Sequence, residues 1–306
     1  MAFEIGLKID VCNRRSLEEG VPGLLRILRE FGVQGSFFIA FGPDNSGKAA
    51  RRIFRRGFLR KMIRTRAPST YGLKTLLYGT LLPAPLVGEG LPQTLHRIKE
   101  TGHEVGLHGW DHVGWHDRLT RMSENGVRES LSRASGLFEH SLGVLPLFSG
   151  APGWQVTPAS LQIQDEFGFA FASDCRGERP FYPRVAGRLL KTLQIPTTLP
   201  TSDELLGIDG MNEQLLADYY LRRLREDCVN LLGLHAEIEG LSYVGWLRTF
   251  LAASLQRGAK FSLLSSIAKE ASVTAGTDEI LHHEIPGRAG TVACQGVCRS
   301  GHGDTL

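Results

Sequence analysis

No acidic side chain occurs between Asp44 and Glu89, the sharpest gap in a chain of 306 residues. Also missing is any run of the ~18 uninterrupted apolar residues that a spanning helix needs. The longest candidate, LKTLLYGTLLPAPLVG (73–88), is broken by Pro83 and Pro85. Cysteine is scarce, with five residues at irregular spacing; an odd, irregular set does not describe a disulfide framework and fits a reducing compartment. The start, MAFEIGLKID, lacks a basic stretch followed by a long apolar one, so no secretory signal is expected. These absences describe a chain expected to stay on the side of the membrane where it is made. Its apolar share of 42% is ordinary for a soluble protein. A chain of this size can bury about three quarters of its unfolded surface without staples.

What is present alternates. Strands are read at EIGLKIDV (4–11), SFFIAF (36–41), HEVGLH (103–108), LPLFSGA (145–151), FAFASDC (169–175), VNLLGLH (229–235) and AKFSLL (259–264), with LQIPTTL (193–199) extended. Helices are read at VPGLLRILREFG, with Pro22 in the first turn and Gly32 at the stop, and at LPQTLHRIKETG, closed by Gly102. Further helical stretches run over about 120–142, 157–167, 212–228 and 243–257. This alternation predicts a parallel sheet. About seven such units point to an α/β fold, a distorted (β/α) barrel of about seven parallel strands, rather than to an open sheet. The barrel is expected over 1–270, with an insertion at 45–88 and a partly flexible C-terminal extension over 271–306.

Asp10, His108, Asp174 and His235 each fall at the end of a predicted strand. In a barrel of parallel strands those ends converge on one mouth, where active sites are built. LHGWDHVGWH (107–116) adds His112 four residues after His108, a spacing that lets two imidazoles on one helical turn face a shared cation; His116 continues it. Cys12, two residues past Asp10, points to the same side if the extended backbone continues. A lone histidine pair is more often packing or surface than a ligand pair, so a third donor decides the reading.

The stretches IDV, EEGVP, GPDN, HEVGLHGWDH, SDCRG, IPTTLPTSDE and LHAEIEG, in this order over about residues 4–240, with a weaker match at AGTVACQ, resemble the polysaccharide-deacetylase family of metal-dependent amide hydrolases. The resemblance is strongest to members that deformylate an undecaprenyl-phosphate-linked 4-formamido-4-deoxy-arabinose. It implies Asp10 as general base, His235 as general acid, and Cys12, His108 and His112 as ligands of one divalent metal ion. It implies Asp174, Arg176, Trp154 and Asn45 at the substrate. Formate and a lipid-linked aminoarabinose used in lipid A modification would be the products.

Two departures from that pattern stand out. Cys12 occupies a position where the family usually has aspartate; a thiolate there favours zinc over harder ions, with manganese or cobalt as the other candidates. The alternative is a buried, inert cysteine in a silent relative that only binds the lipid-linked sugar. In SGAPGWQ, Gln155 stands where close relatives carry an arginine, so the cation that tunes Asp10 must come from elsewhere. Arg14, Arg15 and Arg176 are the candidates read from the sequence.

The acid-free gap holds Lys48, Arg51, Arg52, Arg55, Arg56, Arg60, Lys61, Arg64, Arg66 and Lys74. These ten charges leave the remainder of the chain at −7 against a total of +3. Arg51, Arg52, Arg55, Arg56, Arg60, Lys61 and Arg64, interleaved with Ile53, Phe54 and Phe58, have the composition of a peripheral anchor for an anionic membrane surface. Together with the resemblance, which implies a polyprenyl-phosphate substrate, this gives the cytoplasmic side of the inner membrane as the expected location. No nucleic-acid motif accompanies the charge. GPDNSGK (42–48) has phosphate-loop spacing, but Ala49 lacks the metal-binding hydroxyl and Pro43 removes one N–H, so no nucleotide is expected. His282, His283, Cys294, Cys298 and His302 near the C-terminus suit either a second zinc site or a flexible tail.

Overall fold

The computed structural model describes residues 3–49 and 72–296. The arginine-rich run, with Arg51, Arg52, Arg55, Arg56, Arg60, Lys61 and Arg64, lies outside the described residues, as do Cys298 and His302. Among the described residues no helix is long and apolar enough to cross a membrane.

The organising strand is β1 (Glu4–Val11). One side of it pairs along Glu4–Asp10 with β9 (Val229–His235); the other is shared by β10 (Lys260–Ser262) at its start and β2 (Ser36–Ile39) at its end. The sheet continues in parallel through β3 (Glu104–Leu107), β4 (Phe148–Ser149), β5 (Phe171–Ala172) and β8 (Leu193–Gln194). It curls until the N–H groups of Thr198 and Leu199, just past β8, reach the Leu231 carbonyl of β9 at 3.2 and 3.1 Å. Helices α1 (Val21–Phe31), α2 (Pro92–Glu100), α3 (His112–Arg118), α4 (Glu124–Leu142), α5 (Pro158–Glu166), α6 (Ser202–Leu205), α7 (Glu213–Arg223), α8 (Val244–Gln256) and α9 (Leu264–Ala271) alternate with the strands. The expected α/β barrel-like fold is what forms, as a curled sheet dominated by parallel strands.

Every residue of β1 beyond Glu4 is buried, as a strand covered on both faces must be. Ile5, Leu7, Ile9 and Val11 join the core beneath the helices. The alternate face, Gly6, Lys8 and Asp10, looks into the curl, where Phe38, Phe148, Phe171, Leu193 and Leu231 form a separate core closed by Leu264 and Ile267 of α9. Phe148 stacks on Phe171 at 4.7 Å and meets Phe38 edge-on at 5.1 Å. This aromatic plug fills the lower barrel and leaves Lys8 and Asp10 above it.

Several elements are shorter than their sequence patterns. The expected strands 145–151 and 169–175 pair only at Phe148–Ser149 and Phe171–Ala172. Beyond those residues side chains replace the ladder: the N–H of Ala151 donates to Asp174 Oδ1 (2.7 Å) and that of Asp174 to Gln194 Oε1 (3.2 Å). The helix read over 212–228 stops at Arg223. Asn230 then holds the following turn, accepting from Arg225 N–H and donating to the Arg225 carbonyl, both at 2.8 Å.

Beyond α9, β11 (Gly276–Glu284) and β12 (Thr291–Gln295) form an antiparallel hairpin. It joins the sheet through β6 (Phe181–Val185), which also pairs antiparallel with β7 (Arg188–Leu189) and with β8. Val292, Ala293 and Cys294 are buried. The hairpin is fastened by Arg176 N–H to the Ala293 carbonyl (2.9 Å) and Gln295 N–H to the Arg176 carbonyl (2.8 Å).

Candidate active site

Asp10 and His235 are register partners at the ends of β1 and β9. Asp10 is 4% exposed, and both its oxygens accept from Lys8 Nζ at 2.7 Å. Lys8 and Asp10 are two apart on an extended strand and so share a face. The Lys8 ammonium is fully buried, 5.0 Å from the centre of the Phe38 ring and 5.2 Å from that of Trp154. Burial pushes the Asp10 carboxyl up, but the pull of Lys8, with smaller help from His108 and His235, leaves it below the usual carboxylate range. The cation for Asp10 thus comes from Lys8 on its own strand, not from Arg14, Arg15 or Arg176. Gln155 turns away and donates to the Thr291 carbonyl at 2.7 Å.

His108 follows β3, His112 opens α3, and Cys12 follows β1. Cys12 Sγ and one nitrogen from each imidazole lie within 4.8 Å of one another. Zinc stands ~2.0–2.3 Å from nitrogen and sulfur donors, so one ion can bridge such a set and keep an open position. His108 Nδ1 is 2.9 Å from the Gly150 carbonyl; donation there leaves Nε2 as the free donor atom, the usual support for a metal-binding imidazole. Burial holds His108 near 4, well below the ordinary histidine value, so it is neutral, the form that binds a cation. Cys12 behaves oppositely: burial, then Glu237 and Asp10, push its thiol well above the ordinary range. Only a cation at this spot would favour its thiolate. Asp111 caps α3 by accepting from Gly114 N–H (2.8 Å), and Asn45 Nδ2 donates to its other oxygen (2.9 Å). Asn45 therefore braces the turn that presents His112. His116 is not in the ligand group; its Nδ1 is 3.5 Å from Asp117.

Around His235 the surroundings are acidic. Asp203 Oδ1 lies 3.8 Å from His235 Nδ1, just beyond hydrogen-bond length, and accepts from Thr201 Oγ1 at 2.6 Å. Glu239 accepts from the His235 N–H (2.8 Å) and from Ser202 Oγ. Burial raises Glu239 to about 7. Glu237, also raised by burial, accepts from Ser16 Oγ at 2.6 Å.

The remaining sequence candidates stand behind these groups. Asp174 is fully buried and accepts from Ala151 N–H and Gln194 Nε2, both at 2.7 Å, so it holds the loop leading to Trp154. Arg176 is buried, with Nη1 3.0 Å from both Glu204 oxygens and Nη2 2.8 Å from the Leu199 carbonyl. Its guanidinium also lies over Trp154. Asp174 lies within electrostatic reach of Lys8, and Arg176 and Lys8 both face the Trp154 ring. In GPDNSGK, the N–H groups of Asp44, Gly47 and Lys48 bond to the carbonyls of Pro85, Tyr78 and Asn45, and that of Ser46 to Asp44. His282 Nε2 meets the Val156 carbonyl at 3.1 Å.

Sequence reasoning missed Lys8, Asp203, Glu204, Glu239 and Arg288. Lys8 was legible: period-two alternation in LKID puts it beside Asp10. Arg288 carried no local signal, since its partners are distant in sequence.

Comparison with known proteins bears on the family and the fold. The sequence model described as polysaccharide deacetylase matches residues 3–172. The chain is 34% identical over 292 residues, 95% of its length and 94% of the relative's, to a Shewanella sediminis (strain HAW-EB3) protein named "Probable 4-deoxy-4-formamido-L-arabinose-phosphoundecaprenol deformylase". A Wigglesworthia glossinidia brevipalpis protein of the same name is 30% identical over 279 residues, 90% of this chain and 96% of the relative. A crystal structure of a candidate polysaccharide deacetylase from Mycobacterium smegmatis superposes with a TM-score of 0.61 at 20% identity, covering 92% of this chain and 94% of that one.

Proposed function

The chain belongs to the polysaccharide deacetylase family, and from that premise we propose that it is a metal-dependent amide hydrolase that removes the formyl group from an undecaprenyl-phosphate-linked 4-formamido-4-deoxy-arabinose. The substrate follows the names of its two curated relatives. The observation that carries the chemistry is the meeting of a charged carboxylate, Asp10, and an imidazole, His235, on paired strand ends beside the Cys12–His108–His112 group.

A divalent cation held by Cys12, His108 and His112 would supply Lewis acidity toward the amide carbonyl and toward water. Asp10 takes the proton of the attacking water; Lys8 keeps it ionised, and ready to do so, in a site that would otherwise favour the neutral acid. The Gly150 carbonyl fixes the His108 ring. His235 gives a proton to the departing amine nitrogen, which is a very poor leaving group unprotonated. Asp203 stabilises the imidazolium that carries this proton. Formate leaves, and the amine product stays on its undecaprenyl-phosphate carrier.

The polyprenyl substrate places the work at a lipid surface. The described part of the insertion supports this reading: Leu73 and Leu81 are 73% and 80% exposed, and the neighbouring run interleaves basic with apolar residues and has no acidic one. We assign the protein to the cytoplasmic face of the inner membrane, in the pathway that modifies lipid A with aminoarabinose. One observation favours a silent sugar-lipid binder instead, the upward push on the Cys12 thiol. Metal analysis of purified protein, before and after loading with zinc, manganese or cobalt, separates the two. Near-stoichiometric metal and formate release support the hydrolase; no retained metal under any loading sinks it.

A further inference from the structure

We propose that Arg288, on the turn of the C-terminal β11–β12 hairpin, is a positioning residue for both catalytic arms of the site. The inference rests on the reading of Asp10 as base and His235 as acid.

Arg288 Nη1 lies 3.2 Å from Glu204 Oε1, and its guanidinium carbon is 4.6 Å from the centre of the Trp154 ring. The Arg288 and Glu204 side chains are 12% and 2% exposed, so this pair is poorly screened by solvent. Glu204 follows Asp203 directly, on the one-turn helix α6. Its Oε2 accepts from Thr201 N–H at 3.0 Å, and Arg176 holds both oxygens. Burial raises the Glu204 carboxyl, but the two arginines outweigh it and keep it ionised. A charged anchor next to Asp203 therefore sets where Asp203 stands against His235.

Trp154 is the link to the other arm. The Lys8 ammonium that holds Asp10 lies 5.2 Å from the centre of the same indole ring. Arg288 thus braces an anchor on the acid side and the wall of the buried ammonium on the base side. The turn is shaped for this approach: Gly287 has φ +82°, and a Cβ there would come within 2.1 Å of the Glu204 carbonyl oxygen. Only glycine lets the hairpin backbone lie against α6. The hairpin lies beyond residues 3–172, the part matched by the family's sequence model.

The test uses full-length, metal-loaded protein with Arg288→Ala and Arg288→Lys. Formate release from the formamido-sugar lipid is expected to lose about 10- to 100-fold in kcat for Arg288→Ala. KM and metal content should stay unchanged, and Arg288→Lys should recover part of the loss. Independently of turnover, NMR of histidine-labelled protein should show the His235 ring signals shifted in Arg288→Ala, with those of His103 in place. Unchanged kcat, or unmoved His235 signals, overturns the proposal. If Arg288→Ala does not fold, Gly287→Ala keeps the guanidinium but lifts the turn, and a parental kcat there overturns it equally. A fully active His235→Ala would instead strike down the reading on which the inference rests.

Discussion

Lys8 and Asp10, two residues apart on one strand, form a buried ion pair with the ammonium 2.7 Å from each carboxylate oxygen. The pair holds the buried Asp10 carboxyl below the usual range, while Gln155 is bonded elsewhere. Breaking a buried pair by removing one partner costs about 3–5 kcal/mol, because the other charge is stranded. Lys8→Met is therefore expected to lower stability and kcat together. Asp10 then loses the group that holds its pKa down, so the acidic limb of kcat/KM should move to higher pH. Profiles that superimpose for parent and variant would show that Lys8 does not tune the base.

Cys12 and the two imidazoles give separable predictions. His108→Ala should abolish metal binding, since it removes the donor fixed by the Gly150 carbonyl. Cys12→Asp should keep or raise activity, and shift preference from zinc toward harder ions. Cys12→Ser should lose affinity for metal, measured by competition with a chelating dye. Equal affinity in Cys12→Ser and parent would mean that the thiol is not a ligand.

His103 gives the stability a dependence on pH in the histidine range that one substitution isolates. His103 is buried, accepts from Gly35 N–H through Nδ1 at 3.0 Å, and is held at about 4 by burial. A histidine whose pKa is lowered in the folded state contributes stability that is present above its unfolded value of about 6.5 and is lost as pH falls toward 4. His108 has the same sign in metal-free protein. Burial-raised Glu239 works with the opposite sign over the same window, so the His103 part is read as a difference: the urea midpoint of metal-free His103→Gln should gain on that of the parent as pH falls from 6.5 to 4. A difference independent of pH across this window contradicts the assignment.

Membrane attachment should be electrostatic in part. Each basic residue near an anionic surface contributes about 1 kcal/mol, so the run from Arg51 to Arg66 is ample for reversible binding. Sedimentation with anionic vesicles should be strong in low salt. Binding should weaken in high salt and on replacing Arg51, Arg52, Arg55 and Arg56 with glutamine. Binding unchanged by both treatments removes the electrostatic account.

The sequence carried much of this because the chemistry sits at strand ends. Asp10, His108 and His235 end apolar stretches whose length and composition mark parallel strands, and parallel strands end together. The second imidazole was marked by its four-residue spacing together with a third donor, although His108 precedes α3 and the two do not share a helical turn. Boundaries were less so: β4 and β5 pair over two residues each, because Asp174 and Gln194 take over the backbone that the apolar pattern seemed to commit to the sheet. The supporting charges were harder still. Nothing in the sequence signals that Glu204 and the Leu199 carbonyl hold the Arg176 guanidinium, and Arg288 reaches Glu204 and Trp154 only because the hairpin folds back. Contacts between residues 84 positions apart, as Arg288 and Glu204 are, leave no periodic trace in one sequence.

The account turns on Asp10 working as a base beside a cation-loaded site, and formate release measures that directly. Metal-loaded parent protein should release formate from the undecaprenyl-phosphate-linked formamido sugar, one for each amine formed. Asp10→Asn, equally loaded, should be slower by about 10²- to 10⁴-fold. A parent that yields no formate with any divalent metal, or an Asp10→Asn protein as fast as the parent, would contradict it.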